Sequence, residues 1–282
     1  MIIIDLVKQA EESFKAVGIE TSMLDAKILL AHCMGLEQPQ EIIFKLHSRI
    51  SQDVHDRFTS LVNRRLAFEP IAYIVGYKCF WKRIFKVNHN VLIPRPETEL
   101  MIDVVLKKLG HKKLENLHIL DLGTGSGCII LSLLDEFKNS IGIGVDVSEK
   151  ALEIAAVNAN INQRNQRVKF VKSNWFYALN RWKKFDIIVA NPPYIPKCEW
   201  DNLKPNVKNF EPSIALTDFS HGFENYEMIV HNAKNFLKKG GAMVLEIGYN
   251  QSDAISNILE CAGYKFEFYK DLQGINRVVY SV

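Results

Sequence analysis

The sequence predicts an α/β fold: a mostly parallel sheet covered by helices on both faces, preceded by a small all-helical domain. Three observations carry this. Residues 1–75 show helical periodicity with no strand pattern between the helices. From Leu117 onward, short apolar runs alternate with helical stretches, the rhythm of a parallel sheet buried on both faces. The last two apolar runs are joined by Leu272-Gln273-Gly274-Ile275, too short for a crossover helix, so they pair antiparallel. With 48% hydrophobic and 24% charged residues over 282 positions, the chain can bury a sizeable core.

Taken in order, Ile3, Leu6, Val7, Ala10, Phe14 and Val17 follow the i, i+3, i+4, i+7 spacing, and Gly18 stops the run. Ser22 and Asp25 form a capping-box-like pair before a second helix that Gly35 ends. Ser51 opens a third, with Val54, Phe58, Leu61 and Val62 on one face, and it ends before Pro70. Residues 76–94 change character: KCFWKRIFKV is aromatic and β-branched, which predicts a hairpin linker. VLIPRPETEL, residues 91–100, then leads into a helix reaching Lys108, so the second domain is placed at 95–282. Its strands are read in LHILDL, IGIGVDV, VKFVKS, FDIIVAN and AMVLEIG, with helices over 148–163 and 225–241.

Several classes are excluded. No apolar stretch approaches the ~20 residues of a membrane span. The N-terminal MIIIDLVKQAEESF is amphipathic and acidic, unlike a secretory or import leader. The cysteines, Cys33, Cys79, Cys128, Cys198 and Cys261, are scattered, which suits a reducing cytoplasm. The histidines show no metal spacing, so no metal is expected. A net charge of +3 is too mild to indicate nucleic acid. The first domain mixes Glu11, Glu12, Glu20, Asp25, Glu37 and Glu41 among its bases, unlike a target-recognition region.

DLGTGSG, residues 121–127, closes the first strand of the sheet and opens a helix. Gly123, Gly125 and Gly127 permit a tight turn and close ligand approach, and the helix start favours an anionic group. The spacing is G-x-G-x-G, not that of dinucleotide binders. Asp146 ends the next strand, about 20 residues on, where an acid can accept bonds from ribose hydroxyls. A nucleoside ligand that is not a dinucleotide suggests S-adenosylmethionine. Gly123, Thr124, Gly125, Ser126, Gly127, Asp146 and Trp175 are its candidate contacts, with Asn191 beside them.

Asn191-Pro192-Pro193-Tyr194 ends the fourth strand in a stiff loop, since two prolines lock their own φ and restrict the residue before them. Beside a methyl sulfonium, such a loop suits a planar nitrogen, a poor nucleophile because its lone pair is delocalised. The Asn191 side-chain oxygen and the Pro192 carbonyl can accept its two N–H groups, and Tyr194 can stack on its plane. Asn191 and Pro192 are therefore the candidate catalytic groups, and Asn191, Pro192, Pro193 and Tyr194 the candidate substrate contacts.

EPIAYIVG (69–76), VLIPRPETE (91–99), DLGTGSG, VDVSEKAL (145–152), NPPYIP (191–196) and FEPSIAL (210–216) together resemble the HemK/PrmC family over nearly the whole chain. The family methylates glutamine N5 in peptide-chain release factors. The resemblance implies a class I S-adenosylmethionine-dependent methyltransferase fold, a Rossmann-like seven-stranded sheet with the last strand antiparallel. It also implies release factors as protein partners, a cytoplasmic monomer, no membrane and no direct nucleic acid. NPPY alone is shared with DNA-adenine and some ribosomal-RNA methyltransferases. Relatives that modify a ribosomal protein tend to continue VLIPR with a Ser-Pro-Ile-type run, so Pro96-Glu97-Thr98-Glu99 favours the release-factor branch. Departures are Asn174, where Asp is common, and His221-Gly222-Phe223-Glu224, where a Gly/Asp-rich stretch is common. The alternatives are a ribosomal-protein glutamine methyltransferase, a nucleic-acid amino methyltransferase, and a binding module that has lost the chemistry; the last would show an altered NPPY.

Overall fold

The computed structural model describes residues 1–36, 38–181 and 184–282, so Glu37 lies outside the described residues. The chain forms two compact units. The first comprises Met1–Gly76 with Lys204–Phe210, and the second Tyr77–Leu203 with Glu211–Val282.

The first unit is helical: α1 (Ile3–Ala16), α2 (Ser22–Cys33), α3 (Gln52–Leu66) and α4 (Ile71–Val75), with a 3-10 segment at Pro39–Lys45. Ile3, Leu6, Val7, Ala10 and Phe14 are buried, as their spacing predicts. Val17 is not, because α1 stops at Ala16. Ser51 caps α3 by accepting from the Val54 N–H at 3.4 Å. The pairing expected between Ser22 and Asp25 does not form. Thr21 occupies the cap position, and its hydroxyl donates to Asp25 Oδ2 at 2.9 Å. That carboxylate is claimed by Arg65 Nε at 2.8 Å, and both partners are buried. A long-range charge pair thus outweighs the local cap.

The second unit starts with a hairpin, β1 (Tyr77–Phe80) and β2 (Arg83–Lys86). Residues 76–94 were expected as a linker; their Phe80 and Phe85 are buried in this unit's core instead. Then follow α5 (Glu99–Leu109), β3 (His118–Leu122), α6 (Cys128–Glu136), β4 (Ile141–Asp146), α7 (Glu149–Ile161), β5 (Val168–Lys172) and β6 (Phe185–Ala190). The turn α8 (Pro205–Lys208) falls in the first unit. The chain finishes with α9 (Glu224–Ala233), β7 (Leu237–Glu246), α10 (Ser252–Cys261), β8 (Phe266–Lys270) and β9 (Asn276–Ser281).

The seven strands run in the order β5-β4-β3-β6-β7-β9-β8. All neighbours are parallel except β7–β9 and β8–β9, so β9 alone is reversed. Alternate side chains enter opposite cores: Ile119 and Ile187 one, Leu120 and Ile188 the other. The helix expected to reach 241 ends at Ala233, and Lys238-Lys239-Gly240-Gly241 belongs to β7. Gly241 lies close against β6, where a Cβ would sit 3.0 Å from the Phe185 carbonyl oxygen, and Lys238 pairs with Asp186 at 2.7 Å. These long-range contacts override the helical pattern of the stretch.

The Asp25–Arg65 pair yields a stability test. Arg65→Ala leaves a buried carboxylate with, among the described residues, the Thr21 hydroxyl, and such losses cost about 3–5 kcal/mol. Urea unfolding should show that loss, and the double variant Asp25→Leu/Arg65→Met should recover most of it. A change below about 1 kcal/mol in Arg65→Ala would show that the pair is not structural.

Candidate active site

In the second unit, β3 lies between β4 and β6, with Leu122 level with Val145 on one side and Ala190 on the other. The order of strands reverses beside β3, the place where open α/β sheets bind ligands. A cavity of about 340 Å³ opens there. Gly123, Gly125, Asp146, Trp175, Asn191 and Pro193 line it, so the ends of four strands meet at one wall.

The glycine loop is held from below. Gly123, Gly125 and Gly127 all have positive φ, at 70°, 53° and 79°, which few other residues adopt without strain. The Thr124 hydroxyl donates to Asp121 Oδ2 at 2.6 Å, and its N–H donates to the Val145 carbonyl at 2.8 Å. Asp121 is fully buried with its other oxygen unpartnered, and burial pushes its carboxyl up to about 7 despite the Thr124 bond. β4 approaches closely because residue 144 is glycine: a Cβ there would sit 2.8 Å from Thr124 Oγ1.

Asp146 closes the cradle. Its Oδ2 accepts from Gly125 N–H and its Oδ1 from Ser148 N–H, each at 2.9 Å. Its carboxyl is raised, chiefly by burial, against these backbone bonds. Trp175, itself at φ 48°, lays its ring along Gly123, and the Ser173 hydroxyl fixes that turn by donating to the Trp175 carbonyl at 2.7 Å. Thr124 and Ser126, expected as ligand contacts, turn inward, with 3% and 2% of their surface exposed. Gly127 sits at the start of α6 and outside the cavity wall.

The loop after β6 is pinned at successive residues. Asn191 Nδ2 donates to Thr98 Oγ1 at 3.3 Å. The Pro193 carbonyl accepts from Asn225 Nδ2 at 2.8 Å, and the Tyr194 carbonyl from Gln251 Nε2 at 3.0 Å. The Ile195 N–H donates to the Leu216 carbonyl at 2.9 Å. Pro192 is buried and does not line the cavity. Nor does Tyr194, which was expected to stack on a substrate. Its ring packs behind the loop in the β6–β7 core, within reach of Gly248, and burial pushes its phenol up.

Sequence reasoning missed the opposite wall. Asn90–Leu92 and parts of the segment 212–219 line the cavity, with Ile214 and Phe219 about half exposed at its mouth. Both overlap motifs of the sequence, VLIPRPETE and FEPSIAL, and a part-buried ion pair joins those motifs. Arg95 donates to Glu211 Oε1 at 2.5 Å, and the Ile93 N–H to Glu211 Oε2 at 3.1 Å. Among the described residues no group of three or more His, Cys, Asp or Glu is placed to hold a metal. No described helix is long and apolar enough to cross a membrane.

Comparison with known proteins agrees with this geometry. Residues 5–76 match the PrmC N-terminal domain and residues 113–270 a Methyltransferase domain. A bifunctional methyltransferase of Rickettsia typhi is 40% identical over 97% of this chain and 56% of its own length, so the chain spans about half of that relative. A release factor glutamine methyltransferase of Caulobacter vibrioides is 36% identical, with 97% of this chain and 93% of that protein covered. The hMettl16 catalytic domain, solved with the MAT2A 3'UTR hairpin 6, shares the fold at TM-score 0.58 and 17% identity, covering 89% and 91% of the two chains. With its strands in this order and full-length relatives at this identity, the chain belongs to the release factor glutamine methyltransferase family.

Proposed function

We propose that this chain methylates the side-chain amide of the glutamine in the Gly-Gly-Gln loop of class-1 peptide-chain release factors, using S-adenosylmethionine. The observation that carries the reading is the orientation of Asn191. Its Nδ2 is committed to Thr98, which leaves Oδ1 as the acceptor for a substrate N–H at the cavity wall.

The chain's residues fit the donor. The bare backbone of Gly123 and Gly125 at the wall suits close approach of its amino-acid end, Asp146 its ribose, and Trp175 its base. When bound, the donor supplies an electrophilic methyl on a sulfonium. Asn191 Oδ1 accepts an N–H of the substrate amide, holding its nitrogen in place and stabilising positive charge as it develops there. The alkylated nitrogen is acidic and loses its proton to water without a strong base. Pro193 and the half-exposed Ile214 and Phe219 form the mouth through which a thin Gly-Gly backbone enters. Residues 5–76 recognise the body of the release factor.

The central test uses Asn191→Ala. Turnover should fall on the order of 10²-fold or more while donor affinity holds, as for the loss of one preorganised polar group. Mass spectrometry of the wild-type product should show one methyl, on that glutamine. Wild-type turnover in Asn191→Ala, or methylation of DNA or RNA in parallel arms, would overturn the reading.

Asp146→Asn tests the donor site. The Asn oxygen still accepts from one backbone N–H, but its amide presents donors to the other and to the ribose. Donor affinity by calorimetry should weaken by about 1–3 kcal/mol. Unchanged affinity would remove Asp146 from the site.

A chain starting at Tyr77 tests the first domain. Starting later would strip Phe80 and Phe85 from the core. The truncated protein should bind donor as the full chain does and lose most methylation of intact release factor. Full activity on the intact factor would end this assignment.

A further inference from the structure

We propose that Thr98 and Glu246 are positioning residues, which set the polarity of the Asn191 amide by fixing where the Thr98 hydroxyl proton points. The proposal rests on the reading that Asn191 orients a substrate amide.

Glu246 ends β7, the strand beside β6, with 1% of its surface exposed and Oε2 without a partner. Nothing in the cavity touches it, since neither Glu246 nor Thr98 lines the wall. A buried carboxyl with an unsatisfied oxygen is costly and calls for an explanation. β7 pairs with β6 in parallel register, so Glu246, one residue past the Leu245–Ala190 pair, is level with Asn191, and the Thr98 hydroxyl is the side-chain group that favours its ionised form. The same hydroxyl oxygen accepts from Asn191 Nδ2.

A threonine hydroxyl has one proton and can accept two bonds. With Glu246 ionised and able only to accept, that proton goes to the carboxylate. Thr98 Oγ1 can then only accept from Asn191, so Nδ2 must face Thr98 and Oδ1 must face the cavity. With Glu246 protonated, the carboxyl can donate to Thr98 and release the threonine proton toward Asn191. The amide is then free to turn over and present N–H groups to a substrate that itself offers N–H groups. The carboxylate therefore acts at one remove, through the hydroxyl.

Several groups face Glu246. Arg95 and Glu97 precede Thr98; Arg277 lies on β9; Tyr194 follows β6; Tyr226 is on α9 and Cys128 on α6. Arg277 and Arg95 favour the carboxylate and Glu97 opposes it, but burial dominates and pushes the carboxyl up to about 7. The sign follows: amide polarity is correct above that range and is lost as pH falls through it.

Methylation of intact release factor by the full chain tests this in four variants. Thr98→Val, nearly isosteric but without the hydroxyl, should lower kcat at least about tenfold with donor affinity unchanged. Thr98→Ser should recover most of that loss. Glu246→Gln should lower kcat and abolish the acid limb of the kcat–pH profile. Asn191→Ala is run alongside. If Asn191→Ala is slow while Thr98→Val turns over at the wild-type rate, or if Glu246→Gln keeps the wild-type pH profile, the positioning role is overturned. If Thr98→Val and Thr98→Ser lose donor affinity equally, Thr98 is structural and the proposal also fails. Wild-type turnover in Asn191→Ala instead overturns the reading beneath it.

Discussion

The parallel register of β4, β3 and β6 is the constraint on which the site depends. Because Leu122 is level with both Val145 and Ala190, the glycine loop, Asp146 and Asn191 leave the sheet at the same edge. A slip of one residue in either pairing would turn every side chain of that strand to the other face. The two cores that receive Ile119 and Leu120, or Ile187 and Ile188, make such a slip expensive. The precision of the cavity wall is therefore inherited from hydrophobic packing on both faces of the sheet.

The buried acids of the second unit divide into two kinds. Glu211 is answered by Arg95 and by a backbone N–H, a charge-assisted arrangement that ties the segment before α5 to the one after α8. Asp121 and Glu246 are each left with one unpartnered oxygen, and burial raises both toward neutrality. Each has a threonine hydroxyl that favours its ionised form, Thr124 under the glycine loop and Thr98 behind Asn191. Stability is given up at these two points, and both lie directly under the cavity, as expected where a chain holds polar groups ready for chemistry.

Some of the backbone strain also lies at the cavity. Trp175 and Phe219, at φ 48° and 58°, occupy a backbone region that bulky residues rarely adopt, and both line the cavity. Each is held by local hydrogen bonds: Ser173 to the Trp175 carbonyl, and the Phe219 N–H to Thr217 Oγ1 at 3.0 Å. Surrounding structure over-determines these conformations and keeps two aromatic rings at the wall.

The amino-acid sequence by itself determined the fold class, the strand and helix order, the reversal of β9 and the wall residues Gly123, Gly125, Asp146, Trp175, Asn191 and Pro193. These are local properties: periodicity, turn chemistry and residues at strand ends, each legible within a short window. The tertiary structure decided what depends on partners distant in the chain. It gave Asp25 to Arg65 instead of a helix cap and took Lys238–Gly241 into β7. It turned Thr124, Ser126 and Tyr194 away from the cavity. It also brought Glu211 to Arg95, and Thr98 with Glu246 to Asn191. The physical reason is that a polar side chain bonds whatever the fold places within about 3 Å. No local pattern encodes that neighbour when it lies tens of residues away.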